Sequence, residues 1–453
     1  MPVKPARWGL SALLLFALFA ASTAALSAQA APQAPAQPAA AAPPAPQAAA
    51  AYNLPPEKLA QAHVLGRIRT TLDIVGLLWG LGFLWILLAA GWAARLAAWT
   101  LGVTCRRWLQ GLLFFALFFG ISVLASLPLD ALGHIASLHY RISVQGWPGW
   151  LADQAKGLGL SIVFGPLVLL LLNWLVRVSP RFYWIWIWLV SLPLMLASIF
   201  ASPLIIDPLF YKFEPLMTHH APLVQKLETV VARTGNHIAP ERMFLMKASE
   251  KSNGLNAYVT GIGASKRYVM WDTATDRLPD DEVMFIFGHE SGHYVLNHIP
   301  KMIAGSAVAL FFVFWLCAVL ARRIIAGKAA LWGFDPSPEG VAPAATRPGF
   351  LVLLLALSAV GLLLQPASNA VSRYFEHQAD VYGQEAIHGV VPDPARTAVS
   401  AFNHLGEAWL EDPEPNPVVE FWEYNHPSVQ KRAGFAAQYN PWANGGHGEF
   451  FAK

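Results

Sequence analysis

Six stretches of this chain, near residues 73–95, 108–127, 158–177, 182–202, 302–321 and 349–365, are apolar over about the 20 residues a helix needs to cross the hydrocarbon core of a bilayer. The last is short and runs into Pro366, which leaves its end open. Trp184, Trp186 and Trp188 open the fourth stretch, as an interfacial belt of aromatic rings would. Composition agrees: 13% of residues are charged, against roughly 25% in ordinary soluble proteins. The implied fold class is a mostly α-helical, multi-pass membrane protein of about six spans. A net charge of +3 on 453 residues is too small to point to nucleic acid as a partner. Cys105 and Cys317 are too few for a disulfide framework or a Cys-type zinc site.

Residues 1–30 have the layout of a secretory signal peptide: Lys4 and Arg7, an apolar run at 9–21, and Ala28-Gln29-Ala30 as a cleavage site. Left uncleaved, the same segment is a first transmembrane helix. Residues 31–51 form an Ala/Pro/Gln linker that cannot bury a core. Four spans follow within 52–202. Next come a polar α+β region at 203–300, a two-span membrane hairpin at 301–366, and a region at 367–453 that starts as a helix and becomes loop-rich. The polar region patterns as a helix over 221–234 and strands at 242–248, 255–260 and 267–272, the last two joined by a turn that includes residues 261–264. Pro279-Asp280-Asp281-Glu282 opens a further helix that runs to about Asn297, with acids in its first turn where the helix dipole favours them.

Basic residues sit in alternate loops: Arg95, Arg106 and Arg107, then Arg177 and Arg181, then Arg322, Arg323, Lys328 and Arg347. The positive-inside rule assigns these loops to the cytoplasm, so the polar region and the C-terminus face the other side. Together with the signal-like N-terminus this reads as a bacterial inner-membrane protein.

The chemistry lies in the helix that Asp280 opens. His289-Glu290-Ser291-Gly292-His293 places two imidazoles four residues apart on one helix face, where both can reach one Zn²⁺. Glu290, next to the first ligand, can act as general base on a water at the metal. A catalytic zinc needs a third protein ligand and an open position. The candidate is Glu376, which shares a helix face with Asp380, so that one can bind metal while the other orients a ligand histidine. Two spans separate His293 from Glu376, so the chain returns to the same membrane side.

Ahead of that helix, Ser252 to Tyr258 followed by Lys266-Arg267 and Trp271-Asp272 reads as a hairpin. An exposed strand there, with Asn256, Ala257 and Tyr258, is a candidate to hold an extended peptide by β-addition. His426, in Asn425-His426-Pro427, and Arg432 are candidates for oxyanion stabilisation or an ion pair near the zinc.

Asn256-Ala257-Tyr258, Lys266-Arg267, His289-Glu290-Ser291-Gly292-His293, Leu296-Asn297-His298, Phe375-Glu376-His377-Gln378-Ala379-Asp380 and Asn425-His426-Pro427 follow one another in an order that resembles the type I CAAX prenyl protease family, integral-membrane zinc metalloendopeptidases. The resemblance covers roughly residues 52–435. It implies that His289, His293 and Glu376 hold one zinc, with Glu290 as the base. It also implies that Asp380 backs a ligand and that His426 and Arg432 sit close by. The family's eukaryotic members have seven spans and a catalytic region toward the cytosol; here the loop charges favour the opposite side. Its best-known members cleave prenylated CAAX proteins, whereas a chain with a bacterial-looking signal need never meet one. The expectation is a membrane-embedded endopeptidase for extended peptides. One alternative is a quality-control endopeptidase with no prenyl requirement, and a more distant one is a non-catalytic membrane scaffold.

Overall fold

The computed structural model describes residues 52–235, 238–261, 266–337 and 340–451. The signal-like segment 1–30, the linker 31–51 and residues 262–264 of the expected turn lie outside the described residues. The chain begins with α1 (Pro56–Ala89), the short α2 (Trp92–Val103), α3 (Arg107–His139), α4 (Trp147–Val178) and α5 (Tyr183–Ala201). A π turn (Ser202–Ile206) carries α5 into α6 (Asp207–Phe210). The polar region follows: β1 (Phe213–Pro215), α7 (Leu216–Thr234), β2 (Met243–Met246), β3 (Ala257–Thr260), β4 (Arg267–Trp271), α8 (Asp272–Arg277) and α9 (Asp280–Val295). Then come α10 (His298–Lys328), α11 (Arg347–Ala386), α12 (Pro394–Trp409), α13 (Pro417–Glu423) and α14 (Val429–Gln438).

Among the described residues, six helical stretches are long and apolar enough to cross a membrane: α1, α3, α4, α5 with its extension to Phe210, α10 and α11. They match the six apolar segments in order and are longer, although α1 ends at Ala89 and residues 92–95 of the first expected segment open α2 instead. Four carry an interior proline, Pro128, Pro166, Pro193 and Pro366. Such prolines are tolerated in membrane helices because neighbouring helices and local adjustment re-satisfy the freed backbone groups. Pro366 therefore does not end the last span. The helix passes through it, and α11 joins the membrane segment to the helix bearing Glu376 in one 40-residue rod.

Two cores result. In the membrane part, Phe114, Phe115, Phe118 and Phe119 of α3 pack with Phe314 and Cys317 of α10 and Phe350 to Ala356 of α11. Leu78, Leu124, Val163, Trp174, Phe312 and Leu363 point outward, as side chains facing lipid do. The second core joins the sheet to α7, α9, α12 and α14 through Met243, Leu245, Tyr268, Val269, Phe285, Phe287 and Phe402. Glu282, buried at the start of α9, binds that helix to α12 by accepting from Ser400 Oγ at 2.6 Å and pairing with His404 Nδ1 at 2.7 Å.

The sheet has the order β1-β2-β4-β3. β2 and β4 run parallel, and the other pairs are antiparallel, with Ala257 opposite Met270 and Val259 opposite Tyr268. β3 is thus an edge strand. At the far end of the bundle the three basic loops converge: Arg347 Nη2 donates to Gln110 Oε1 (2.9 Å) and to the Arg107 carbonyl (3.3 Å), and Arg322 Nη1 reaches the Arg181 carbonyl (3.5 Å).

Candidate metal centre

α9 and α11 cross almost backbone to backbone, because three glycines meet there. A Cβ on Gly383 would lie 2.8 Å from His289 N, one on Gly288 3.1 Å from the Gly383 carbonyl, and one on Gly292 3.0 Å from Tyr382 Cβ. Any side chain at Gly383 would force the helices apart. This close approach sets Glu376 and Asp380, on the preceding turns of α11, beside the two histidines of α9.

His289 Nε2 and His293 Nε2 are 3.2 Å apart, and Glu376 Oε2 and Oε1 lie 3.4 Å and 3.6 Å from them respectively. Tetrahedral zinc with bonds of about 2.0–2.1 Å separates neighbouring donors by about 3.3–3.4 Å. The spacing therefore fits one such ion with three protein ligands and a fourth position left over. Among the described residues, His289, His293 and Glu376 are the group able to hold a metal. Glu376 Oε2 supports the same fit: it is a buried carboxylate oxygen that receives no hydrogen bond, although His426 Nε2 is 3.1 Å away.

The surrounding residues hold these donors in place. His289 Nδ1 is 2.9 Å from Asp380 Oδ1, and Arg432 grips Asp380 with two bonds, Nε to Oδ2 at 2.9 Å and Nη2 to Oδ1 at 2.6 Å. The fork-to-carboxylate geometry fixes Asp380, and Asp380 fixes the imidazole. Glu290, one residue after the first histidine, accepts at Oε2 from the Val259 backbone N–H at 3.2 Å. That N–H points away from β4, so the open edge of β3 faces α9. Ala257 and Tyr258 lie in that strand, and Asn256 just before it closes the pair through its carbonyl to Trp271 N (3.1 Å). His377 packs on Phe435 instead, with ring centroids 4.5 Å apart. The structure thus brings His289, Glu290, His293, Glu376, Asp380, His426 and Arg432 to one place, and Asn256, Ala257 and Tyr258 lie at the start of the strand whose Val259 N–H reaches Glu290.

The donors are electrostatically unlike. Burial disfavours the charged form of His289, yet Asp380 and Glu376 outweigh it and carry its imidazole up to about 9. Burial holds His293 down to about 3, with Glu376 opposing, so that ring stays neutral. Burial pushes the Glu290 carboxyl up to about 7, in the range useful for a base at neutral pH. The cluster therefore keeps a proton that a cation can displace, because ligation requires deprotonated donors.

One neighbour has no role in the sequence reading. His298 Nδ1 lies 3.1 Å from His293 Nδ1. On a continuous helix a residue five positions on points about 140° away, so spacing gives no hint of this contact. Asn297, in the left-handed region at φ 57°, breaks α9 from α10 and turns His298 back under His293. Asn before a new helix is the signal that could have revealed the break.

Residues 219–439 match the model of peptidase family M48, and residues 39–212 match the CAAX prenyl protease N-terminal module, described as five membrane helices. The chain is 33% identical to the uncharacterized metalloprotease YhfN of Bacillus subtilis, over 84% of this chain and 85% of that one. It is 27% identical to CAAX prenyl protease 1 of Saccharomyces cerevisiae, over 71% of each. The crystal structure of S. mikatae Ste24p has the same fold, with a TM-score of 0.71 at 21% identity, covering 97% of this chain and 100% of that one.

Proposed function

Because the chain belongs to peptidase family M48, as a multi-pass membrane metallopeptidase of the CAAX prenyl protease type that hydrolyses peptide bonds, we propose that it is a zinc endopeptidase whose metal is held by His289, His293 and Glu376. The observation that carries this reading is the spacing of the two imidazole nitrogens from each other and from the Glu376 carboxylate, close to that of tetrahedral zinc donors. Zinc there supplies a Lewis acid that makes water acidic and polarises the scissile carbonyl. Glu290 takes the proton of the attacking water and hands it to the leaving amine. Asp380 and Arg432 keep His289 oriented. His426, 3.1 Å from Glu376 and partly buried, is placed to donate to the oxyanion as it develops.

The substrate is an extended peptide that adds to the open edge of β3 across Asn256, Ala257 and Tyr258, with backbone bonds giving affinity. Val259 N–H, now on Glu290, is the kind of group such a strand would use. Two jobs fit this chemistry, CAAX processing and quality control of membrane or exported proteins. Purified protein should cleave unstructured peptides. Cleavage at similar kcat/KM with and without a prenyl group would assign quality control, and a strict prenyl requirement would assign CAAX processing. Failure to cleave either peptide would sink the endopeptidase reading.

The peptidase region and the C-terminus lie outside the cytoplasm of a bacterial inner membrane. The contacts of Arg347 with Arg107 and of Arg322 with Arg181, at the helix ends away from the metal cluster, support this. A C-terminal alkaline phosphatase fusion should be active and a fluorescent-protein fusion dark; the reverse pattern would overturn the assignment.

A further inference from the structure

Each histidine that faces the metal position has a second ring nitrogen to satisfy. For His289 it meets a carboxylate, Asp380, at 2.9 Å. For His293 it meets another imidazole, His298 Nδ1, at 3.1 Å. His298 is fully buried, lies nearly flat on Phe375 (centroids 4.2 Å apart, planes 26°), and its Nε2 is 3.2 Å from Gln378 Oε1. Gln378 Nε2 in turn is 3.3 Å from the Tyr374 hydroxyl.

We propose that His298, set by Gln378, is the positioning residue for His293: it fixes the tautomer that leaves His293 Nε2 bare toward the metal. Two ring nitrogens at this distance share a single proton, so one must donate and the other accept. Gln378 presents its carbonyl oxygen to His298, and therefore His298 carries its hydrogen on Nε2. Its Nδ1 is then a lone pair, and the shared proton belongs to His293 Nδ1. A neutral His293 with hydrogen on Nδ1 has its lone pair on Nε2, the atom that faces His289 and Glu376. If the amide were reversed, the chain of donors would run the other way and Nε2 would carry hydrogen. The direction of one amide thus decides whether the second ligand is available.

The arrangement also separates the two ligands. His289 leans on an anion and becomes the more basic donor, whereas His293 leans on a neutral ring. Because Asn297 starts α10, the group that sets His293 is the first residue of a membrane span, and Gln378 comes from the other span of the hairpin, between Glu376 and Asp380.

The inference rests on the zinc-site reading, and the test separates the two. Zinc affinity of the purified full chain is measured by competition with a chromophoric chelator. His293→Ala should lose the site; wild-type affinity in that variant would overturn the zinc-site reading itself. His298→Phe keeps the ring stack on Phe375 but offers no acceptor, and should bind zinc about 10- to 100-fold more weakly. His298→Asn, whose carbonyl oxygen stands where Nδ1 stood, should recover to within a few-fold of wild type. Gln378→Leu, at a partly exposed position, should weaken binding and decides the matter if the Phe variant does not fold. Wild-type affinity in His298→Phe or in Gln378→Leu, or an Asn variant as weak as the Phe one, would overturn the proposal.

Discussion

Replacing Glu290 by glutamine is expected to lower kcat for peptide cleavage by about 10²- to 10⁴-fold while leaving zinc content unchanged, the range a positioned general base supplies. Glutamine has nearly the shape of glutamate, and its side-chain oxygen can still accept from the Val259 N–H. The helix crossing and the three donors are therefore undisturbed, and only the ability to take a proton is lost. Unlike glutamate, the amide gains nothing from the burial that lifts the Glu290 carboxyl to about 7. Single-turnover cleavage and metal analysis on the same preparation check both halves. Cleavage at the wild-type rate would remove Glu290 from the mechanism.

Glu376→Ala should have the other large effect, loss of the metal itself. Two imidazoles would remain, without the only carboxylate among the three donors. Catalytic zinc sites use three protein ligands, so zinc per chain should fall from about one toward zero and cleavage with it. Asp380→Asn offers the graded comparison. It leaves the three donors in place but weakens the ion pair that orients His289 and the pair with Arg432, so affinity should fall about 10- to 100-fold. Excess zinc should restore the Asp380 variant and leave the Glu376 variant inactive. In wild type, a chelator should abolish cleavage and added zinc restore it. A Glu376→Ala protein that purified with a full complement of zinc would show that another residue closes the site.

What the sequence disclosed follows from the range over which each feature is encoded. The spans and His289, Glu290 and His293 are local patterns, and the structure carries them in the expected order and on a helix. Glu376 was reachable because helix spacing and membrane parity are both counting arguments. Features set by long-range contacts were not legible. β1 is three residues with a proline and shows no alternation; it exists because Phe213 and Glu214 pair with Met246 and Leu245. Pro366 reads as a stop in water, yet neighbouring helices carry α11 through it. The tail expected to be loop-rich holds α12, α13 and α14, short helices whose period has few turns in which to show. The hydrogen-bonding role of His298 depends on one left-handed residue, which no periodicity reports.

α11 is also a lever. Its 40 residues make a rod about 60 Å long, of which the bilayer holds about 30 Å. From the middle of the membrane segment to Glu376 is about 28 Å, so leaning the rod by about 10° would swing that carboxylate sideways by about 5 Å. Spacing among the donors tolerates nothing of the kind. Contact between Gly383 and the backbone of α9 clamps the lever at its far end, which makes a membrane helix and a peptidase helix move as one piece. Packing against neighbouring helices sets the inclination of such a rod, so the metal site takes its orientation from the membrane bundle while its own spacing stays fixed.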